Sequence, residues 1–206
     1  MTQVPDALPA RMYLLAYDLR RRRMTKSRSE LGCMVRAAAL TELYLDGRLA
    51  ESRRRPVPGT PGDDPYGLLA AIGASRPRSW QHWVRKDARA FATRIRDELA
   101  HEGWIRLHRR RFLGFPRTVV EVRDPRVVKE LWGRASSALH GRPVAHVHSF
   151  DAAAVALAAA CELSCVLPRR ERRRHRRRIA ELTARSGPAV TAARKVIEAQ
   201  NAAAAG

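Results

Sequence analysis

The chain has 206 residues, 45% of them hydrophobic, which is ample for one packed domain. Its 40 Lys and Arg against 20 Asp and Glu give a formal net charge of +20. A surface of that sign attracts phosphates and anionic membranes, so the expected partner is an anion. Three cysteines, Cys33, Cys161 and Cys165, form no CxxC pair and have no histidine at zinc-ligand spacing. They read as small buried hydrophobes in a reducing compartment.

The segment MTQVPDALPARMYLLAYDLRRRR places its charges after its apolar stretch, unlike a secretory signal. Within it, Met12 to Leu19 is expected to be a short strand or helix packed in the core, followed by a basic turn. Leu31, Val35, Ala39 and Leu43 recur every fourth residue and define one apolar stripe on a helix that ends at Gly47. Residues 52–65, with four prolines and two glycines, are expected to be a flexible loop within the domain. YGLLAAIG and SWQHWV then predict short helices. Ala88, Phe91, Ala92, Ile95 and Leu99 predict an amphipathic helix capped by Gly103. WIRLH and TVVEV flank Gly114 and Pro116 and predict a β-hairpin tipped by RRRFLGFPR. Beyond it the pattern is helical again: DPRVVKELWGRASSAL, an alanine-rich helix after Ser149, a helix through the run RRERRRHRRR, and a last helix from Pro188. The expected fold is mainly α, a single helical domain over residues 8–204 with one protruding β-hairpin.

No segment supplies catalytic chemistry. GxSxG, the Walker phosphate loop, GxGxxG after a strand and HExxH are all missing from the sequence. His146 and His148 lie close together but read as a surface loop, and no metal or cofactor is expected. The chain is read as a non-enzyme. The longest apolar run, FDAAAVALAAACELSCVL, is mostly alanine with Asp151 and Glu162 inside it, short of the ~20 strongly apolar residues of a membrane span. A cytoplasmic protein that meets membranes from outside is expected.

Basic residues do fall on predicted elements. Arg85, Arg89 and Arg96 share one face if their helix begins early enough, and Arg36 borders the apolar stripe of the earlier helix. The run from Arg169 to Arg178 repels itself and reads as a solvated face or a non-specific polyanion contact. At the hairpin tip, Phe112, Leu113 and Phe115 are ringed by Arg109, Arg110, Arg111 and Arg117. Three readings fit this tip: a core or subunit contact, a wedge that buries phenylalanines among acyl chains, and a DNA-binding wing. A wing that tracks phosphates gains nothing from two phenylalanines unless they intercalate, whereas a bilayer rewards both parts of the motif.

The serial order of LPARMYLLAYD, RAAALTELYLDGRL, the Pro/Gly loop, SWQHWV, LAHEGWIRLHRRRFLGFPRTVVEVRDP and an alanine-rich helical end resembles the Golgi phosphoprotein 3 family. The resemblance covers most of the chain. It implies a mostly helical domain that binds phosphatidylinositol 4-phosphate peripherally at membranes, with an apolar hairpin that enters the bilayer and also serves subunit contacts. By position, Arg36 and Arg89 match two of the family's headgroup-binding arginines. A third falls on Ala92 and the family's tryptophan falls at Ser27; Arg85 or Arg96 is expected to supply the missing charge. The implied partners are an anionic phospholipid surface and a second copy of the chain through the hairpin, with nucleic acid as the rival.

Overall fold

A computed structural model describes residues 2–112, 115–141 and 143–205, with side chains for 2–109, 118–141 and 143–204. A central helix organises the rest. It runs from Arg28 to Leu45 (α2), where a capping box between Ser27 and Glu30 starts it and Gly47, at φ +72°, turns the chain away after it. The sequence predicts one apolar stripe on this helix. Instead every residue from Leu31 to Leu43 is buried, because helices enclose it on all sides. Its neighbours are α1 (Leu8–Leu15), α4 (Trp80–Arg85), α5 (Ala88–His101), α7 (Ser149–Ala160) and α10 (Pro188–Ala205). Small residues at Ala37, Ala38 and Ala39 let those neighbours approach.

Two contacts fix α2 against its partners. Gly32 crosses the start of α5 so closely that a Cβ there would overlap the Ala88 carbonyl. Gly32→Ala is expected to force α2 and α5 apart at a cost of about 1–3 kcal/mol, read as a fall in urea midpoint. Glu42 reaches the other way. Its carboxylate, 9% exposed, accepts from Leu8 N at 2.5 Å and from the Tyr66 hydroxyl at 2.7 Å, so it caps the buried start of α1. Burial pushes the Glu42 carboxyl above its ordinary value, so the stability tied to it is greatest below the unfolded-state pKa and declines as pH rises through the folded-state one. Glu42→Ala leaves the buried Leu8 amide and the half-buried Tyr66 hydroxyl without this partner, at about 1–3 kcal/mol each, and is expected to lower Tm by roughly 4–24 °C.

The chain is mainly α, with ten α-helices and three two-stranded antiparallel hairpins among the described residues. Met12 to Leu19 divides between the end of α1 and a first strand. The basic turn after it is the tip of a hairpin, β1 (Tyr17–Asp18) with β2 (Arg23–Met24). Asp18 Oδ1 holds that tip by accepting from Arg20 N at 2.8 Å and Arg21 N at 3.0 Å. The stretch 52–65 is not wholly a loop: β3 (Leu49–Ser52) pairs with β4 (Arg55–Pro58) around Arg53 and Arg54, both at positive φ. Short helix α3 (Leu68–Gly73) follows.

The predicted hairpin is β5 (Ile105–Phe112) with β6 (Phe115–Val122), in register from Ile105 opposite Val122 to Phe112 opposite Phe115. Ile105 and Val122 at its base are buried, Leu107 and Val120 half-buried, and Arg109 exposed, so the ribbon leaves the body as it rises. After it come α6 (Pro125–His140), α7, α8 (Arg169–Arg174), α9 (Arg176–Ser186) and α10. His175 breaks the arginine run into two helices. The run is also less solvated than expected. Arg178 Nη2 donates to Ala138 O at 2.8 Å, and Arg172 reaches Ala159 O at 3.4 Å and pairs with Glu162 at 3.1 Å.

Candidate functional site

A cavity of about 370 Å³ opens between the β1–β2 hairpin, the starts of α2 and α5, and β6, which the core brings together. The β1–β2 hairpin contributes Arg22 and Arg23, and the turn into α2 contributes Lys26, Ser27 and Arg28. From α5 come Arg89, Ala92, Thr93 and Arg96. Thr118, Val119 and Val120 of β6 form the last side, with Tyr13 of α1 and Leu31 also lining it. Among the described residues, six cations and no carboxylate line this space. Its volume falls at the small end of ligand clefts, about 300–1,000 Å³.

The charges differ in how far they are already engaged. Arg22 pairs with Glu121 at 2.7 Å, Lys26 with Glu30 at 2.8 Å and Arg96 with Asp97 at 2.7 Å, all carboxylates outside the lining. Arg23, Arg28 and Arg89 are exposed, and no hydrogen bond or ion pair engages their side chains among the described residues. Burial pushes the Tyr13 phenol up to about 12, against the opposing influence of Arg96. The Tyr13 hydroxyl is therefore a neutral donor at physiological pH. The start of α2 adds the positive end of a helix dipole.

Glu121 ties the protruding hairpin to this cavity. It takes Arg22 from the β1–β2 hairpin on Oε1 and lies 2.7 Å from His108 Nε2 on Oε2, and the hydrogen bond from His108 holds its carboxyl below the ordinary value. The tip at Phe115 is three to five residues along β6 from the lining residues Thr118 to Val120, roughly 10–17 Å at about 3.3 Å per residue. Leu113 lies outside the described residues, as do the side chains of Phe112, Phe115, Arg110, Arg111 and Arg117. Arg109 is exposed.

The predicted cations divide. Arg89 and Arg96 share the cavity, one turn on either side of Ala92. Arg96 thus brings a charge to the space beside Ala92. Ser27 lines it too, with its hydroxyl accepting from Glu30 N in the capping box. Arg85 does not join them. It ends α4, and Lys86 and left-handed Asp87, at φ +52°, separate it from α5, so the expected three-arginine stripe on one helix does not form. Arg36 is also elsewhere: it is 6% exposed, its Nε donates to Trp83 O at 2.8 Å and its guanidinium lies over the Phe91 ring at 5.4 Å. Burial pulls its pKa down, with Asp87 opposing. It ties α2 to α4 and α5 rather than facing the cavity with Arg89.

Sequence reasoning missed Arg22, Arg23, Lys26 and Arg28. The Asp-led turn at Asp18 was the available signal for a hairpin that would aim them. A larger recess of about 960 Å³ lies along the N-terminal segment and α5, but Asp6, Glu98, Glu102 and Asp124 line it together with Arg106 and Arg123, so its field is mixed. Volume is therefore a poorer guide here than charge.

Fold and site together define a mainly helical protein with a basic cleft at the foot of a projecting β-hairpin. The family model described as Golgi phosphoprotein 3 (GPP34) matches residues 8–200, nearly the whole chain. The chain belongs to that family. A comparison with curated proteins finds no match. No helix among the described residues is long and apolar enough to cross a membrane.

Proposed function

We propose that the chain is a non-enzymatic peripheral membrane protein. Its basic cavity binds an anionic, phosphoinositide-type headgroup, phosphatidylinositol 4-phosphate by family resemblance, while the β5–β6 tip inserts into the bilayer from the cytoplasmic side. The supporting observation is that, among the described residues, Arg23, Arg28 and Arg89 have no side-chain hydrogen bond or ion pair and no carboxylate lines the cavity around them. Like charges gathered in one space raise each other's energy, and a phosphate dianion relieves this while taking bidentate arginine contacts. In this reading Phe112 and Phe115, carried at the end of the neighbouring ribbon, enter the acyl chains of a bilayer whose headgroup the cavity holds, and exposed Arg109 meets the phosphate layer.

The reading is tested by flotation with neutral vesicles and with vesicles containing phosphatidylglycerol, phosphatidylinositol or its 4-phosphate, alongside duplex DNA binding at low and moderate salt. The expected order places the 4-phosphate first, with binding that survives moderate salt. Equal affinity for DNA and for every anionic vesicle, collapsing with salt, would reduce the activity to polycation behaviour. Oligomerisation lost with Phe112→Asp and no lipid binding would instead assign the hairpin to protein contacts.

A further inference from the structure

A second cluster shares no residue with the basic cavity. His140 closes α6, Glu171 lies in α8 and His175 separates α8 from α9, and their ligand atoms all fall within 4.8 Å of one another. Glu171 Oε2 is 3.3 Å from His140 Nε2 and 3.3 Å from His175 Nε2. A charge-assisted hydrogen bond draws such atoms to about 2.7–2.9 Å. A tetrahedral metal with bonds of about 2.0–2.2 Å holds neighbouring ligand atoms about 3.3–3.6 Å apart. Both Glu171 separations have the length of a tetrahedral edge, and the two imidazole ligand atoms lie within 4.8 Å of each other.

The surroundings orient the ligands. His140 Nδ1 lies 3.0 Å from Ser136 O; with the proton on Nδ1 donated to that carbonyl, the Nε2 lone pair is left facing Glu171. Glu171 and His175 stand four residues apart and share a face. The two imidazoles meet edge to face, 4.6 Å between centroids. Arg178 bonds the Ala138 carbonyl near the end of α6, so packing holds the helices that carry the ligands. His140 and Glu171 also line a small cavity of about 70 Å³, next to Trp132, with room for a water or two at ~30 Å³ each.

We propose that His140, Glu171 and His175 bind a divalent transition metal of the zinc class, with one position left open, and that the metal staples α6 to α8 and α9. The dense arginines of α8 and α9 disfavour hard cations such as Mg²⁺ and Ca²⁺, which need several oxygen ligands. They disfavour less an ion held chiefly by two imidazoles and neutralised in part by one carboxylate.

The test uses the full chain without a histidine tag, stripped by chelator and titrated with zinc chloride by calorimetry, with cobalt absorption as a second readout of ligand geometry. One zinc per chain is expected, with a rise in Tm. Glu171→Gln, His140→Ala and His175→Ala should each weaken binding at least about tenfold and remove the Tm shift, while His146→Ala plus His148→Ala changes neither. Glu171→Gln preserves size, and circular dichroism verifies that it is folded. No saturable zinc binding by the folded chain, or binding undiminished in folded Glu171→Gln, overturns the proposal. Tetrahedral cobalt bands that persist in all three ligand variants also overturn it.

Discussion

Arg89→Glu with Arg96→Glu is expected to weaken binding to vesicles carrying phosphatidylinositol 4-phosphate by at least 100-fold. Each side chain lines the cavity, and a hydrogen bond to a charged group contributes about 1.5–3 kcal/mol, so losing two removes about 3–6 kcal/mol, at tenfold per 1.4 kcal/mol. The double reversal changes net charge by −4, which would weaken any polycation. A matched control, Arg169→Glu with Arg173→Glu, makes the same change on exposed positions of α8. The control should keep most of the binding; an equal loss in both proteins sinks the cavity as the site. Arg36→Ala makes a sharper contrast. Because Arg36 bonds Trp83 O beneath Phe91, its loss should lower Tm and leave the headgroup preference of the folded fraction intact.

The second large effect belongs to the hairpin tip. Phe112→Ser with Phe115→Ser is expected to shorten residence on vesicles by roughly 100-fold or more, since burying each phenylalanine in an apolar environment is worth about 1.5–3 kcal/mol. Binding of a soluble headgroup should not change, because the cavity lies at the foot of the ribbon. That split separates a wedge from a ligand residue. Unchanged vesicle dissociation in the serine variant would contradict insertion and leave the cavity untouched.

The helices were legible because apolar spacing and punctuation agreed: Gly47, Gly103, Pro125 and Pro188 mark ends that the structure keeps. The β5–β6 ribbon was legible for the same reason. Periodicity had little to say about β1 and β2, whose paired strands are two residues each. Those two short strands aim Arg22 and Arg23, so most of the cavity's charge was hidden in what reads as a basic turn. Arg36 shows the opposite failure. Its place beside an apolar stripe fits a pocket residue equally well, and only the enclosure of α2 on all sides decides that it turns inward to Trp83. The break at left-handed Asp87 lies beside the Ala88 carbonyl that Gly32 approaches, a tertiary contact with no local signature.

The triad of His140, Glu171 and His175 is hidden in the sequence because His140 lies 31 and 35 residues from the other two, and Glu171 and His175, four apart, sit inside an arginine run that reads as a solvated face. His146 and His148, expected as a surface loop, are exposed as expected. His148 accepts from Phe150 N as the cap of α7. Proximity in sequence is a weak guide to ligand sets that helices assemble.

The most direct test of the central claim is a titration of the isotope-labelled chain with short-chain phosphatidylinositol 4-phosphate, followed by backbone amide shifts. The cavity predicts saturable changes concentrated in residues 22–28 and 89–96, and their loss in the Arg89→Glu, Arg96→Glu protein. Saturable changes confined to residues 169–178, with residues 22–28 and 89–96 unmoved, would contradict it.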